Sequence, residues 1–203
     1  MNFWDQQFAA AEFKYGTEVN QFLRQQAVQL PAGARVLLPG DGEGRNSVWL
    51  AEQGFQVTAM DGSQVGLDKA QRLAQQKGVE IEVVHADLVD WVPAPSSVDA
   101  VVLTFVHLPE TLRASVRHRL VAALWPGGLF ILEAFHPRQL SFSSGGPKVE
   151  SMLYSLHTLR ADLHAALEID LSEVLTWEGA DQLSEGPGHQ GPAYLTRFVA
   201  QRR

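Results

Sequence analysis

Short apolar runs alternate with amphipathic stretches through the first two thirds of the chain. Val36, Leu37 and Leu38 make one such run and predict a strand over residues 35–38. It breaks at Gly40-Asp41-Gly42-Glu43-Gly44, and a helical pattern with Val48, Trp49 and Leu50 follows over residues 45–53, stopped by Gly54. Phe55, Val57 and Ala59 alternate along a second strand over residues 55–60, which ends on Asp61-Gly62-Ser63. A helix over residues 65–76 turns Leu67, Ala70, Leu73 and Ala74 inward. Ile81, Val83 and Val84 predict a third strand, ending on His85-Ala86-Asp87-Leu88. A loop rich in Pro and Ser over residues 93–97 leads to a fourth strand over 99–104. After a loop from Phe105 to Pro109, a helix over 110–124 carries Leu112, Val116, Leu120 and Leu124 on one side. Trp125-Pro126-Gly127-Gly128 then turns into a fifth strand over 129–134.

The two ends of the chain read differently. Residues 3–30 predict two short helices, one with an irregular aromatic face of Phe3, Trp4, Phe8 and Phe13, the other over 18–29 with Val19, Phe22, Leu23 and Ala27 at helical spacing. Beyond the fifth strand, residues 136–150 form a long loop holding Gly145-Gly146-Pro147, and long loops are often functional. A helical segment over 152–166 follows. Leu167, Ile169 and Leu171 then begin a strand over 167–177, residues 181–192 form a polar turn region, and a last strand covers 194–200. These two strands predict an antiparallel hairpin with a long connection, in which His189 and Gln190 are turn residues. Strands alternating with helices imply an α/β fold: a mostly parallel sheet with helices on both faces. No repeat or linker interrupts it. The expectation is a single domain over residues 1–203, with an N-terminal helical cap or lid over 1–30 and a sheet core over 31–203.

Composition narrows the classes. With 203 residues, 45% of them hydrophobic, the chain can bury a substantial core. Its net charge of −7 argues against nucleic acid and against an anionic membrane surface as partners, because both are bound largely through Lys and Arg. The absence of cysteine removes disulfides, thiolate metal sites and cysteine nucleophiles. Seven histidines are scattered without the close pairing of a zinc motif, so no metal site is expected. No basic segment with an apolar core opens the chain and no apolar run nears the roughly 20 residues of a membrane span, so a soluble, cytoplasmic protein is expected.

Candidate chemistry sits at the predicted strand ends. Gly40, Gly42 and Gly44 lie between a strand and a helix, where a glycine turn lets backbone approach a ligand and a helix start offers unpaired N–H groups. The spacing is G-x-G-x-G, with Arg45 where a dinucleotide fingerprint would carry its last glycine. Asp61, ending the second strand with Gly62 after it, is placed to accept the hydroxyls of a ribose; capping a helix or turn is the plainer role. Asp87, ending the third strand, can accept from the amine of an adenine, or stand as a solvated loop acid.

The segments VLLPGDGEGRNSVWLAEQG, VTAMDGS, HADL, DAVVLTFVHLP and WPGGLFILEAF resemble the successive motifs of class I S-adenosylmethionine-dependent methyltransferases. The opening WDQQF…EFKYGTEVNQFL and the stretch EAFHPRQLSFSSGGPKVESMLYSLHTLRADL are similar to the small bacterial tellurite-resistance-type branch, which is thiopurine methyltransferase-like. The resemblance implies a Rossmann-like seven-stranded sheet of order 3-2-1-4-5-7-6 with the last strand antiparallel. It implies S-adenosylmethionine as cofactor and S-adenosylhomocysteine as its product. It implies that Gly40, Gly42 and Gly44 cradle the methionine part, Asp61 the ribose, and Asp87 with the backbone of Leu88 the adenine. Phe105 and His107 would border the sulfonium and its methyl group.

Two departures stand out. The family carries an acid two residues before the first glycine, where this chain has Leu38, so Asp41 is expected to take over the cofactor's amino group. The proline of the branch's opening is Val19 here. A sulfonium methyl is already activated and transfers by in-line displacement, which asks the protein mainly for proximity and alignment. His107 is then a candidate proton acceptor or a histidine bonded to backbone, and Tyr15 a lid residue reaching the ligand. His136 is a weaker candidate, and Glu133, near the end of a buried strand, is not assigned a catalytic role. The expected acceptor is a small molecule such as a thiol, a tellurium or selenium species or a metabolite, and Phe105, Phe135 and Phe142 point to a partly apolar pocket. Two other readings stay open at this stage: an NAD(P)-dependent oxidoreductase, which shares the glycine loop and the acid after the second strand, and a non-catalytic S-adenosylmethionine-binding protein. The sequence carries no indication of oligomeric state.

Overall fold

The computed structural model describes residues 2–164 and 170–203. The end of the helix expected over 152–166, and the alternation at Leu167 and Ile169, lie outside the described residues. Seven strands form one sheet of order β3-β2-β1-β4-β5-β7-β6. They are β1 (Arg35–Pro39), β2 (Gln56–Asp61), β3 (Glu82–His85), β4 (Val98–Thr104), β5 (Leu124–Phe135), β6 (Leu171–Ser184) and β7 (Gln190–Arg202). The first five run parallel, and β7 lies antiparallel to both β5 and β6.

Both faces of the sheet centre are buried, and this is why its strands read as continuous apolar runs. In β4, Ala100 and Val102 belong to one core and Val101 and Leu103 to the other. The first of these cores receives Phe22 and Leu23 from α2 (Gln21–Gln26) and Leu50 from α3 (Arg45–Glu52). The second receives Val116 and Leu120 from α5 (Glu110–Ala122) and Leu159 and Leu163 from α6 (Leu156–His164). The remaining helices are α1 (Phe3–Gln7) and α4 (Gln64–Lys77). Ser63 caps α4 by accepting from the Gly66 N–H, and Gly78 ends it in the left-handed region.

Several boundaries differ from the sequence expectation, each for a local reason. The second helix starts at Gln21 rather than 18 because the Asn20 side chain caps it, accepting from the Leu23 N–H at 2.7 Å. Trp125-Pro126-Gly127-Gly128 is not a turn ahead of β5 but a bulge within it. Val98 pairs with Leu124 and Ala100 with Leu129, so the intervening residues swell out of the ladder, where a proline costs no hydrogen bond. Leu124 therefore leaves the helix and joins the strand. The loop over 136–150 contains a 3-10 turn at Pro137–Ser141, and another at Glu150–Met152 follows it. The long hairpin connection is also corrected. Pairing continues to Ser184↔Gln190, which leaves only residues 185–189 as the turn.

Candidate active site

The carboxyl ends of β1, β2 and β3 converge with the start of α3. Gly40, Gly42 and Gly44 have φ of +72°, +66° and +90°, so all three require a conformation that side chains rarely adopt. The amides of Gly40 and Asp41 both donate to Met60 O, at 2.7 and 3.2 Å, folding the loop back over β2. Gly44 has a packing reason of its own: a Cβ there would lie 2.6 Å from the Ala70 Cβ, so its absence lets α3 sit against α4.

Asp61 is buried and locks this loop. One carboxylate oxygen accepts from the Gly42 N–H and the other from the Ser63 N–H, both at 2.8 Å. Burial pushes its pKa up, against the pull of these two bonds. Gly62 follows, its carbonyl accepting from the Asn2 side-chain amide and lying 3.1 Å from His85 Nε2. Asp87 is exposed at the end of β3, and one of its oxygens accepts from the Val89 N–H at 2.8 Å, forming a turn. Leu88 packs against the core, and its carbonyl accepts from Arg119.

Asp41 is tucked behind the loop. Oδ2 accepts from Ser47 Oγ at 2.5 Å, whereas Oδ1 is buried with no hydrogen-bond partner. Burial raises its pKa to about 7, aided by the neighbouring Asp61 charge and opposed by Ser47 and Arg45. An orphaned carboxylate oxygen is costly unless a ligand supplies its donor. With Leu38 inside the core and Glu43 paired with Lys69, Asp41 is the acid this loop has left to offer.

Phe105, next after β4, has φ of +56°, an outlier for a bulky residue, held by its N–H donating to Glu133 O at 2.8 Å. Its ring meets Phe135 at 4.6 Å and His189 at 4.4 Å between centroids. Phe142 takes no part in this group; its N–H closes the 3-10 turn on Gln139 O. His107 is committed to backbone. Nδ1 lies 2.7 Å from Met152 O and Nε2 accepts from the Phe135 N–H at 3.3 Å, which together specify a neutral ring with its proton on Nδ1. Burial lowers its pKa to about 4. The geometry thus follows the backbone-bonded alternative for His107 and leaves no nitrogen for an acceptor's proton. His136 Nδ1 likewise accepts from the Arg138 N–H.

The N-terminal segment lies over this site. The α1 acid Asp5 accepts from Ser63 Oγ at 2.8 Å, and Phe8 covers Gly42 and Gly66. Glu43, inside the glycine loop, accepts from the Lys14 N–H at 2.8 Å and pairs with Lys69 at 2.6 Å. Tyr15 rests on His189, 4.5 Å between ring centroids, with its phenol pKa raised by burial. Gly186 and Gly188 make this approach possible, since a Cβ on either would come within 2.6 Å of Tyr15 atoms.

A buried polar knot ties the N-terminal segment to the sheet, and its members meet only in the fold. Asn20 Nδ2 donates to Glu133 at 2.5 Å and to Glu185 at 2.9 Å, and the Gln21 N–H donates to Glu185 at 3.0 Å. Arg45 pairs with Glu185 at 3.0 Å and Arg197 with Glu133 at 2.6 Å. Glu133, left without a role from sequence, is therefore a structural acid. His189 is the other unforeseen residue: expected as a simple turn residue, it is buried among Tyr15, Phe105 and Phe135.

An adenosyl cofactor fits what is present. Asp41 holds an orphaned acceptor beside the positive-φ glycines, and three acids end three adjacent strands or the turns after them. Among the described residues no cluster could hold a metal ion, and no helix is long and apolar enough to cross a membrane.

Comparison with known proteins agrees. Residues 36–128 match the family model of a methyltransferase domain. No curated protein matched the sequence. Among solved structures, one reported for the conversion of a disulfide bond into a thioacetal group during echinomycin biosynthesis superposes with a TM-score of 0.77 at 16% identity, covering 98% of this chain and 87% of that one. TehB from Haemophilus influenzae gives 0.72 at 17%, covering 91% of this chain but only 63% of that one. An S-adenosylmethionine-dependent methyltransferase from Aquifex aeolicus gives 0.64 at 17%, covering 88% and 89%. The oxidoreductase and non-catalytic alternatives give way to the matched domain, and at these identities the solved structures establish the shared fold alone. Residues 36–128 thus match a methyltransferase domain, set in a fold that the chain shares with solved S-adenosylmethionine-dependent methyltransferases.

Proposed function

We propose that this protein transfers the methyl group of S-adenosylmethionine to a small-molecule acceptor by in-line displacement, as a member of the tellurite-resistance-type branch. Gly40, Gly42 and Gly44 cradle the methionine part, and Asp41 takes its amino group. Asp61 and Gly62 border the ribose, Asp87 and Leu88 the adenine, and Phe105 the methyl. The cofactor supplies a carbon already activated by the sulfonium, so this chain's task is to bind, align and exclude water. The observation that carries the reading is the orphaned Oδ1 of Asp41 beside three positive-φ glycines. No general base is assigned. His107 acts as a strut that fixes the Phe105–Phe135 wall, and Tyr15 closes the lid. The lid's grip on the glycine loop, and a net charge of −7, favour a small acceptor over a nucleic acid.

Release of S-adenosylhomocysteine is the test. Incubated with S-adenosylmethionine and a panel of small thiols, reduced tellurium and selenium species and amines, the protein should release it only when an acceptor is present. Binding of the cofactor with no acceptor-dependent release across the panel would contradict the small-molecule assignment.

A further inference from the structure

His189 is used by none of the roles above, yet its position is held from every side. The turn that carries it closes on itself, with the Glu185 N–H donating to His189 O at 2.9 Å and the His189 N–H to Gly186 O at 3.3 Å. Glu185 anchors that turn in the polar knot, and the Gly188 N–H donates to Lys14 O at 3.1 Å in the lid. The ring is clasped by Tyr15 at 4.5 Å, Phe105 at 4.4 Å and Phe135 at 5.5 Å, and the Gly145 backbone passes close to its Cδ2 edge. The residue is only 5% exposed, and its Nδ1 is buried with no hydrogen-bond partner. A buried imidazole nitrogen without a partner costs about 1–3 kcal/mol, so a fold that fixes one this firmly beside a strained Phe105 has placed it for a ligand.

Resting on the methyl-transfer reading, we propose that His189 binds the methyl acceptor. Its Nδ1 takes the hydrogen bond of a small uncharged acceptor whose apolar body lies against Phe105 and Tyr15. The acids around the ring are already committed. Glu185 serves Asn20, Gln21 and Arg45, Glu133 serves Asn20 and Arg197, and Lys14 Nζ donates to Gln7. The Arg45 and Lys14 charges disfavour a cationic acceptor, and the aromatic enclosure disfavours burying an ion of either sign. Burial, with the Arg45 and Lys14 charges, lowers the His189 pKa to about 3, so it offers a hydrogen bond and not a charge.

The test uses the whole chain, with two probe acceptors and calorimetry of S-adenosylhomocysteine alongside. Phenylmethanethiol is uncharged with an apolar ring; mercaptoacetate carries a carboxylate. Wild type should use phenylmethanethiol at least about 10-fold better in kcat/KM, and His189→Phe should lose about 10-fold or more of that, chiefly through KM. In His189→Phe, S-adenosylhomocysteine affinity should stay within about twofold and Tm should not fall, because a ring of similar volume replaces an unsatisfied one. His189→Asn, which returns an amide near the Nδ1 position, should recover part of the lost KM. The proposal is overturned if His189→Phe turns over phenylmethanethiol like wild type, if it loses cofactor affinity in parallel, or if mercaptoacetate serves as well. It is equally overturned if wild type binds S-adenosylhomocysteine but uses neither probe. A wild type that fails to bind S-adenosylhomocysteine overturns the methyl-transfer reading itself.

Discussion

Asp41 and His107 are buried titratable groups whose shifts run in opposite senses for stability. The Asp41 pKa rises to about 7 in the fold, so the folded state holds a proton that the unfolded chain has lost above about pH 4. Its contribution is full at low pH and is lost as pH rises through 7. Asp41→Asn removes the buried charge, and in the ligand-free protein should raise stability at pH 8 by about 1–3 kcal/mol, with the gain shrinking toward pH 5 in urea titrations. His107 is the mirror case. Its pKa falls to about 4, so its contribution is full above the unfolded value of 6.5 and is lost as pH drops toward 4. His107→Ala should cost about 2–4 kcal/mol in urea unfolding, because it strands Met152 O and the Phe135 N–H and opens a void. The acid limb of the stability curve should flatten with it. The pH profile of kcat should show no limb assignable to His107, since both of its nitrogens serve backbone.

At the scale of elements, the N-terminal segment is fastened where long-range polar pairs meet. Glu185 in the β6–β7 turn holds Asn20, Gln21 and Arg45, so Glu185→Ala leaves buried donors and a buried cation without their acid. Denaturant unfolding should show a loss of about 3–5 kcal/mol, and the N-terminal segment should become the first site of proteolysis. Nothing in the sequence announces this knot. Asn20 lies in the opening that resembles the tellurite-resistance-type branch, but Glu185, far along the chain, sits in no periodic pattern or motif that points back to it. The strands were legible for the opposite reason: burial on both faces writes itself as a run such as Val36-Leu37-Leu38. Legibility failed where local composition and pairing conflict. The residues of 181–184 look like turn, yet β6 pairs through Ser184, and Trp125-Pro126-Gly127-Gly128 looks like a turn, yet it is a bulge inside β5.

The whole molecule is a doubly covered sheet whose chemistry gathers at one end, and that end follows from strand direction. Parallel β1, β2 and β3 deliver Gly40–Gly44, Asp61 and Asp87 to adjacent positions, so those residues could be named from sequence. The proposed acceptor side would be built instead by the antiparallel hairpin and the N-terminal segment, whose register and contacts depend on tertiary packing. His189 was therefore read as an ordinary turn residue, and His107 remained open between base and strut. The cofactor half and the acceptor half also differ in how they can be probed. In the proposed arrangement S-adenosylhomocysteine engages only the first, and Asp41 is its most unusual member. Calorimetric titration of S-adenosylhomocysteine into wild type and Asp41→Asn, at pH 6 and pH 8, asks whether this loop holds the cofactor as assigned. One-site binding that strengthens with pH in wild type, and is about 10-fold weaker and flat with pH in Asp41→Asn, is the predicted result. No saturable binding, or equal affinity and pH dependence in the two proteins, would contradict it.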